Sequence, residues 1–255
     1  MPPWPVSTTT MPLSGTCRVN SAQMRSGRIG TASEVSAGWY FAAHSLQIFC
    51  ASSIQALRVP ALTSDAVPIR PERICAELTR HVPDNGIVVV DTGHGGMWMG
   101  GFYDLTSPAQ SYMRSAGHLG WAFPAGLGAK CACPDRPVVT FTGDAGLWYH
   151  IAEIETAARW RINAVTVVNN NSSGNQSKRG FDRVYGGTQT EQAREMWTFS
   201  KVNFARIAED MGAVGMRVEK PGDLGPAIQQ ALKANRPVVI DVVTDIDALA
   251  PLAVS

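Results

Sequence analysis

Three β-branched runs end in residues suited to holding phosphate or a hard cation. Residues 87–91 (IVVVD) lead into Thr92-Gly93-His94-Gly95-Gly96, 137–142 (PVVTFT) into Gly143-Asp144-Ala145-Gly146, and 163–168 (NAVTVV) into Asn169-Asn170-Asn171-Ser172-Ser173-Gly174. Glycines let backbone N–H groups approach a phosphate closely, and a helix starting near Leu147 points its positive end at the same place. One carboxylate, an Asn side chain, a backbone carbonyl and two phosphate oxygens form an all-oxygen shell of the kind Mg²⁺ or Ca²⁺ takes. Each segment alone reads as an ordinary cap or turn; the combination is less ordinary. No G-x-G-x-x-G is present, because Trp98 stands where a third glycine would follow Gly93 and Gly95, and no G-x-x-x-x-G-K-[ST] occurs. Two common nucleotide-binding loops are thereby excluded.

These segments need a scaffold, and the pattern from Pro68 onward supplies one. Residues 71–82 predict an amphipathic helix opening on Pro71 and Glu72. Strands are predicted over 87–91, 137–144, 163–169, 213–218 and 237–245, with helices over 121–132, 148–160, 199–211 and 223–235, the last capped by Asp223. Apolar runs without alternation fit strands buried on both faces, and helix interleaving fits crossovers of a parallel sheet. The expectation is one α/β domain over 68–251, three-layer α/β/α with a mostly parallel sheet. Ligands of such sheets bind outside the carboxyl ends of the strands, where the three segments lie.

The segments also resemble a family. Gly143-Asp144-Ala145, followed by a helix and a strand ending in Asn170-Asn171, looks like the Gly-Asp-Gly to Asn-Asn signature of thiamine diphosphate (ThDP) enzymes. The interval from Asp144 to Asn171, 171 − 144 = 27 positions, is that of the acetolactate synthase type. Gly117-His118-Leu119-Gly120-Trp121-Ala122-Phe123-Pro124 is similar to that type's Gly-x-Met-Gly-x-x-x-Pro. The resemblance covers the diphosphate-binding domain and implies roles. Asp144, Asn171 and the Ser173 carbonyl would ligate Mg²⁺. His94 and Gly95 would lie beside the diphosphate, with Ala145 and Gly146 offering N–H donors. Gly117 would present its carbonyl to the aminopyrimidine, and Leu119 would force the cofactor into its bent shape. That bend makes proton removal from the thiazolium intramolecular. A small 2-oxo acid would be the substrate of a decarboxylase or carboligase, a lyase or transferase.

Departures from the pattern carry consequences. Ala145 stands for the third glycine, His94-Gly95 for Gln-His, and the loop Asn175–Gln192 with Lys178, Arg179, Asp182 and Arg183 differs from acetolactate synthases, leaving the substrate open. The pyrimidine-binding domain that carries the catalytic glutamate is expected on another chain or in an upstream segment, so no catalytic residue is assigned in this chain. Glu34 is set aside. A homo- or hetero-oligomer is expected. Alternatives are the β subunit of a split 2-oxo acid decarboxylase or oxidoreductase, and a non-catalytic binding module of the same fold.

Composition bounds the rest. Lys+Arg 22 against Asp+Glu 21 leaves +1 with no basic block, which argues against nucleic acid and a polybasic membrane patch. Cys17, Cys50, Cys75, Cys131 and Cys133 include no C-x-x-C, so neither a zinc ribbon nor a disulfide framework is expected, and Cys131 and Cys133 read as small buried helix residues. Residues 1–67 read as a poorly structured segment, remnant or linker: 1–33 lack Asp and Glu, as a disordered tail or an organelle transit peptide would. The uncharged stretch Val35–Leu57 is interrupted by Ser36, His44, Gln47 and Gln55, which argues against a membrane span. A cytoplasmic location is expected.

Overall fold

A computed structural model of the chain describes residues 60–250. Glu34, Cys17, Cys50, the stretch Val35–Leu57 and most of the 1–67 segment lie outside the described residues.

Six strands form one sheet: β1 (Ile87–Val90), β2 (Ser111–Arg114), β3 (Val138–Gly143), β4 (Val165–Asn170), β5 (Val214–Val218) and β6 (Val238–Val243). Their spatial order is β2-β1-β3-β4-β6-β5, and every pairing is parallel. The helices are α1 (Pro71–His81), α2 (Gly93–Phe102), α3 (Ala122–Ala132), α4 (Asp144–Trp148), α5 (Glu153–Trp160), α6 (Asn175–Val184), α7 (Glu191–Glu195), α8 (Phe204–Asp210) and α9 (Pro221–Lys233).

Strand pleating divides the core in two. Val88, Val90, Phe141, Val167 and Ile240 pack on one face with Leu78 of α1, Trp98 of α2 and Leu224 of α9. Ile87, Val89 and Val168 pack on the other with Phe123 of α3, Ile154 of α5 and Phe204 of α8. Each fully buried aliphatic side chain contributes roughly 1.5–3 kcal/mol, so a sheet covered on both faces is the favourable arrangement for these runs. The chain leaves β1 outward to β2 and returns to β3 on the other side. That reversal opens a crevice between the carboxyl ends of β1 and β3. No helix among the described residues is long and apolar enough to cross a membrane.

The three-layer, parallel α/β/α expectation holds, with local corrections. Five of the ten residues of α2 are glycine, so helix propensity argues against it, yet burial of Trp98, Met99 and Phe102 overrides propensity. β2 is a half-exposed edge strand of four residues, too short to register as a run. The predicted helix 148–160 is two helices: the first begins at Asp144 rather than near Leu147, and a turn separates it from α5. The segment read as a loop from Asn175 contains α6 and α7. Helix α8 starts at Phe204, where the Asn203 side chain accepts from the Arg206 N–H. Helix α9 starts at Pro221 after Lys220, so Asp223 sits in its first turn and is not the cap. Cys131 is exposed and Cys133 half-buried, against the expectation of burial: Cys133 packs on the edge of the core cluster that includes Phe123 and Val138, and Cys131, two residues earlier, is exposed to solvent.

Candidate functional site

The crevice is a cavity of about 380 Å³, lined by residues at or just beyond the carboxyl ends of β1 (Thr92–Gly95 and Trp98), β3 (Gly143–Gly146) and β4 (Asn169, Asn171 and Ser173–Ser177), with Leu119 from the loop before α3. Of the residues singled out in the sequence, His94, Gly95, Leu119, Asp144, Ala145, Gly146, Asn171 and Ser173 meet here; Gly117 is exposed and does not line the cavity.

Asp144 is the first residue of α4 and only 3% exposed. Its carboxylate accepts from the Ala145 N–H at 2.7 Å and the Ser173 N–H at 3.1 Å. No Lys or Arg forms an ion pair with it among the described residues. Burial pushes its carboxyl up to about 6, the neighbouring Asp241 charge adding to the rise and the backbone donors opposing it. Ser172 adopts a left-handed backbone, φ 55°, and the Ser173 N–H that follows reaches both Asp144 and Asn171 Oδ1, the latter at 3.2 Å. Among the described residues no group of three His, Cys, Asp or Glu is placed to hold a metal. The oxygens around Asp144 other than its own carboxylate are therefore amide, hydroxyl and carbonyl oxygens, a donor type suited to a hard cation.

Strand alternation sorts the three asparagines. Asn169 and Asn171 face the cavity, whereas Asn170 points away and donates to Asp241 Oδ1 at 2.8 Å and the Val202 carbonyl at 2.9 Å. Asp241 is fully buried and also accepts from the Phe204 N–H and Arg217, so Asn170 ties β4 to β6 and α8. Asn170 is structural; the period-two rule applied to 169–171 is the signal that identifies Asn169 as a cavity residue.

Glycine is required where backbones crowd. A Cβ on Gly146 would lie 2.4 Å from Asp91 Oδ2 and 2.6 Å from Thr142 Oγ1, and one on Gly95 would lie 3.3 Å from the Phe141 ring. His94 is buried and packs edge-on against Trp98, ring centroids 5.5 Å apart. Burial, and then the charge of Arg179, depress its pKa, so the ring is neutral at pH 7.

Nine buried side-chain polar atoms among the described residues have no hydrogen-bond partner. Five of them, on His94, Trp98, Asn169, Ser173 and Asn175, belong to residues that line this one cavity. Buried polar groups are ordinarily paired with protein or with ordered water or ligand, and here the unpaired ones concentrate in one cavity. Trp98, Asn175, Gln176 and Ser177 were not singled out as site residues in the sequence, and Asn169 only as part of a strand-end run; α6, read there as loop, brings in Asn175, Gln176 and Ser177.

Residues 91–242 match the protein family described as thiamine pyrophosphate enzyme, C-terminal TPP binding domain. The chain is 28% identical over 202 residues to a probable acetolactate synthase large subunit of Methanococcus aeolicus, covering 76% of this chain and 33% of that protein. It is 32% identical over 177 residues to the acetolactate synthase of Bacillus subtilis, covering 69% and 30%. Among solved structures, the thiamine diphosphate-dependent 4-hydroxybenzoylformate decarboxylase of Rhodococcus jostii RHA1 superposes with a TM-score of 0.63 at 28% identity, over 72% of this chain and 34% of that one. The chain thus spans about a third of the length of the relatives it matches.

Proposed function

The chain belongs to the thiamine pyrophosphate enzyme family and carries its C-terminal TPP-binding domain, and from this premise we propose that the cavity binds ThDP, the same compound, together with Mg²⁺. The observation that carries the reading is Asp144, a buried carboxylate with no Lys or Arg paired to it among the described residues, whose carboxyl sits at about 6. A bound divalent cation removes that electrostatic penalty. In this reading Asp144, Asn171 and the Ser173 carbonyl hold the metal. The Ala145 and Gly146 N–H groups at the start of α4, with His94 and Gly95 of α2, receive the diphosphate. Leu119, the aliphatic residue of the lining, meets the apolar part of the cofactor, and Gly117 is kept for the aminopyrimidine.

Bound ThDP supplies an electron sink for loss of CO₂ from a 2-oxo acid. This chain's residues bind and orient it: neutral His94 donates or accepts a hydrogen bond without adding charge, and α2 and α6 wall the metal end of the cavity. The proposed activity is that of an acetolactate synthase-like decarboxylase or carboligase on a small 2-oxo acid. The names of the relatives support that class, 4-hydroxybenzoylformate being itself a 2-oxo acid. Because the chain spans about a third of those proteins, we place the proton-transfer glutamate on a pyrimidine-binding domain supplied by another chain or an upstream segment. In this reading the working form is an oligomer, and its place is the cytoplasm.

Isothermal calorimetry of ThDP in the presence of Mg²⁺ tests this. Metal-dependent binding that disappears in Asp144→Ala is expected; no binding, or binding unchanged by the substitution, overturns the reading.

A further inference from the structure

Asp91, at the carboxyl end of β1, is fully buried, does not line the cavity and is not among the residues assigned to cofactor or metal. Its carboxylate accepts four hydrogen bonds from three donors on three segments. The Thr92 N–H reaches Oδ1 at 2.8 Å, the Gly120 N–H reaches both oxygens at 3.1 and 3.0 Å, and the Thr142 hydroxyl reaches Oδ2 at 2.8 Å. No Lys or Arg pairs with it among the described residues. A carboxylate buried without a cation is costly, and it persists where its hydrogen bonds hold something in place.

What it holds is specific. Gly120 follows Leu119, and its left-handed backbone, φ 87°, lies where a Cβ would meet the Gly146 carbonyl at 3.0 Å. Thr142 lies two residues before Asp144, and Gly146 two after it, packed on Asp91 Oδ2. One carboxylate thus joins the loop that brings Leu119 to the cavity with the strand end that brings Asp144.

We propose that Asp91 is a positioning residue that fixes the distance between the Leu119 loop and the Asp144 loop, and so between the apolar and the anion-holding ends of the cavity. The proposal rests on the ThDP reading, in which a ligand must span both ends. Inorganic pyrophosphate needs only the Asp144 end, and ThDP needs both.

The test is calorimetry on the full chain with Mg²⁺ and either pyrophosphate or ThDP. Asp91→Ala is expected to weaken ThDP about tenfold and to leave pyrophosphate within about twofold, the size expected for losing hydrogen bonds to a charged group. Asp91→Asn should restore ThDP binding, since its amide oxygen still accepts from Gly120 and its NH₂ faces the Thr142 hydroxyl. Equal losses for both ligands, or no loss, overturn the proposal. Should Asp91→Ala fail to give a cooperative melt, Thr142→Val decides by the same comparison, with a selective ThDP loss of about threefold expected. If the unmodified chain binds neither ligand with Mg²⁺, the ThDP reading falls and this inference with it; if it binds both and the variants show no selectivity, only the inference falls.

Discussion

Asp144 sets the pH behaviour of the site. Its carboxyl lies at about 6 in the folded chain against 3.8 for an ordinary aspartate, so folding raises it. Stability from this group is therefore fully present below about 3.8 and is lost as pH rises through about 6, on the order of 3 kcal/mol in total. A metal that binds only the ionised form competes with the proton. Mg²⁺ with ThDP should thus raise the melting temperature by several degrees more at pH 7.5 than at pH 5, and that difference should vanish in Asp144→Ala; equal shifts at the two pH values would count against it. Gly146 yields a second residue-level expectation. Its missing Cβ is filled by Asp91 and Thr142 oxygens, so Gly146→Ala should destabilise the chain by about 1–3 kcal/mol in urea unfolding and displace the start of α4.

At the scale of elements, close approaches decide which substitutions the fold tolerates. A Cβ on Gly215 of β5 would lie 2.0 Å from the Ala205 carbonyl of α8, backbone against backbone. Gly215→Ala should cost about 2 kcal/mol or more in denaturant melts, because no side-chain rotation relieves the clash; by contrast Gly222→Ala in α9, with open space around it, should be neutral or slightly stabilising. The long strands β3, β4 and β6 were legible because burial on both faces leaves an unbroken β-branched run. Helix α2 was not, because half its residues are glycine, and what stabilises it is packing of Trp98 and Phe102 under the sheet. Edge strand β2 was missed for the opposite reason: it is short and half-exposed, and parallel pairing with β1 is what makes it a strand.

For the whole molecule, the relevant fact is a domain spanning about a third of its relatives. Trp148 and Tyr149 are 41% and 66% exposed, and Tyr149 abuts Gly120 at the Leu119 loop, so apolar surface lies next to the cavity. Exposed patches of this kind drive association. Sedimentation velocity should show concentration-dependent self-association of the isolated chain, reduced in Tyr149→Ser; a single monomeric species at high concentration for the unmodified chain would contradict this.

The sequence by itself determined the alternating α/β order, the parallel sheet and the Asp144 to Asn171 pair, because β-branched runs and fixed spacings are local properties. Tertiary structure alone decided which of the asparagines face the cavity, that a glycine-rich segment is helical, and that Asp91 gathers donors from three segments. Those outcomes depend on which strand ends lie side by side, and chain order does not specify that: β1 and β3 are neighbours across the crevice only because the sheet is built as β2-β1-β3-β4-β6-β5.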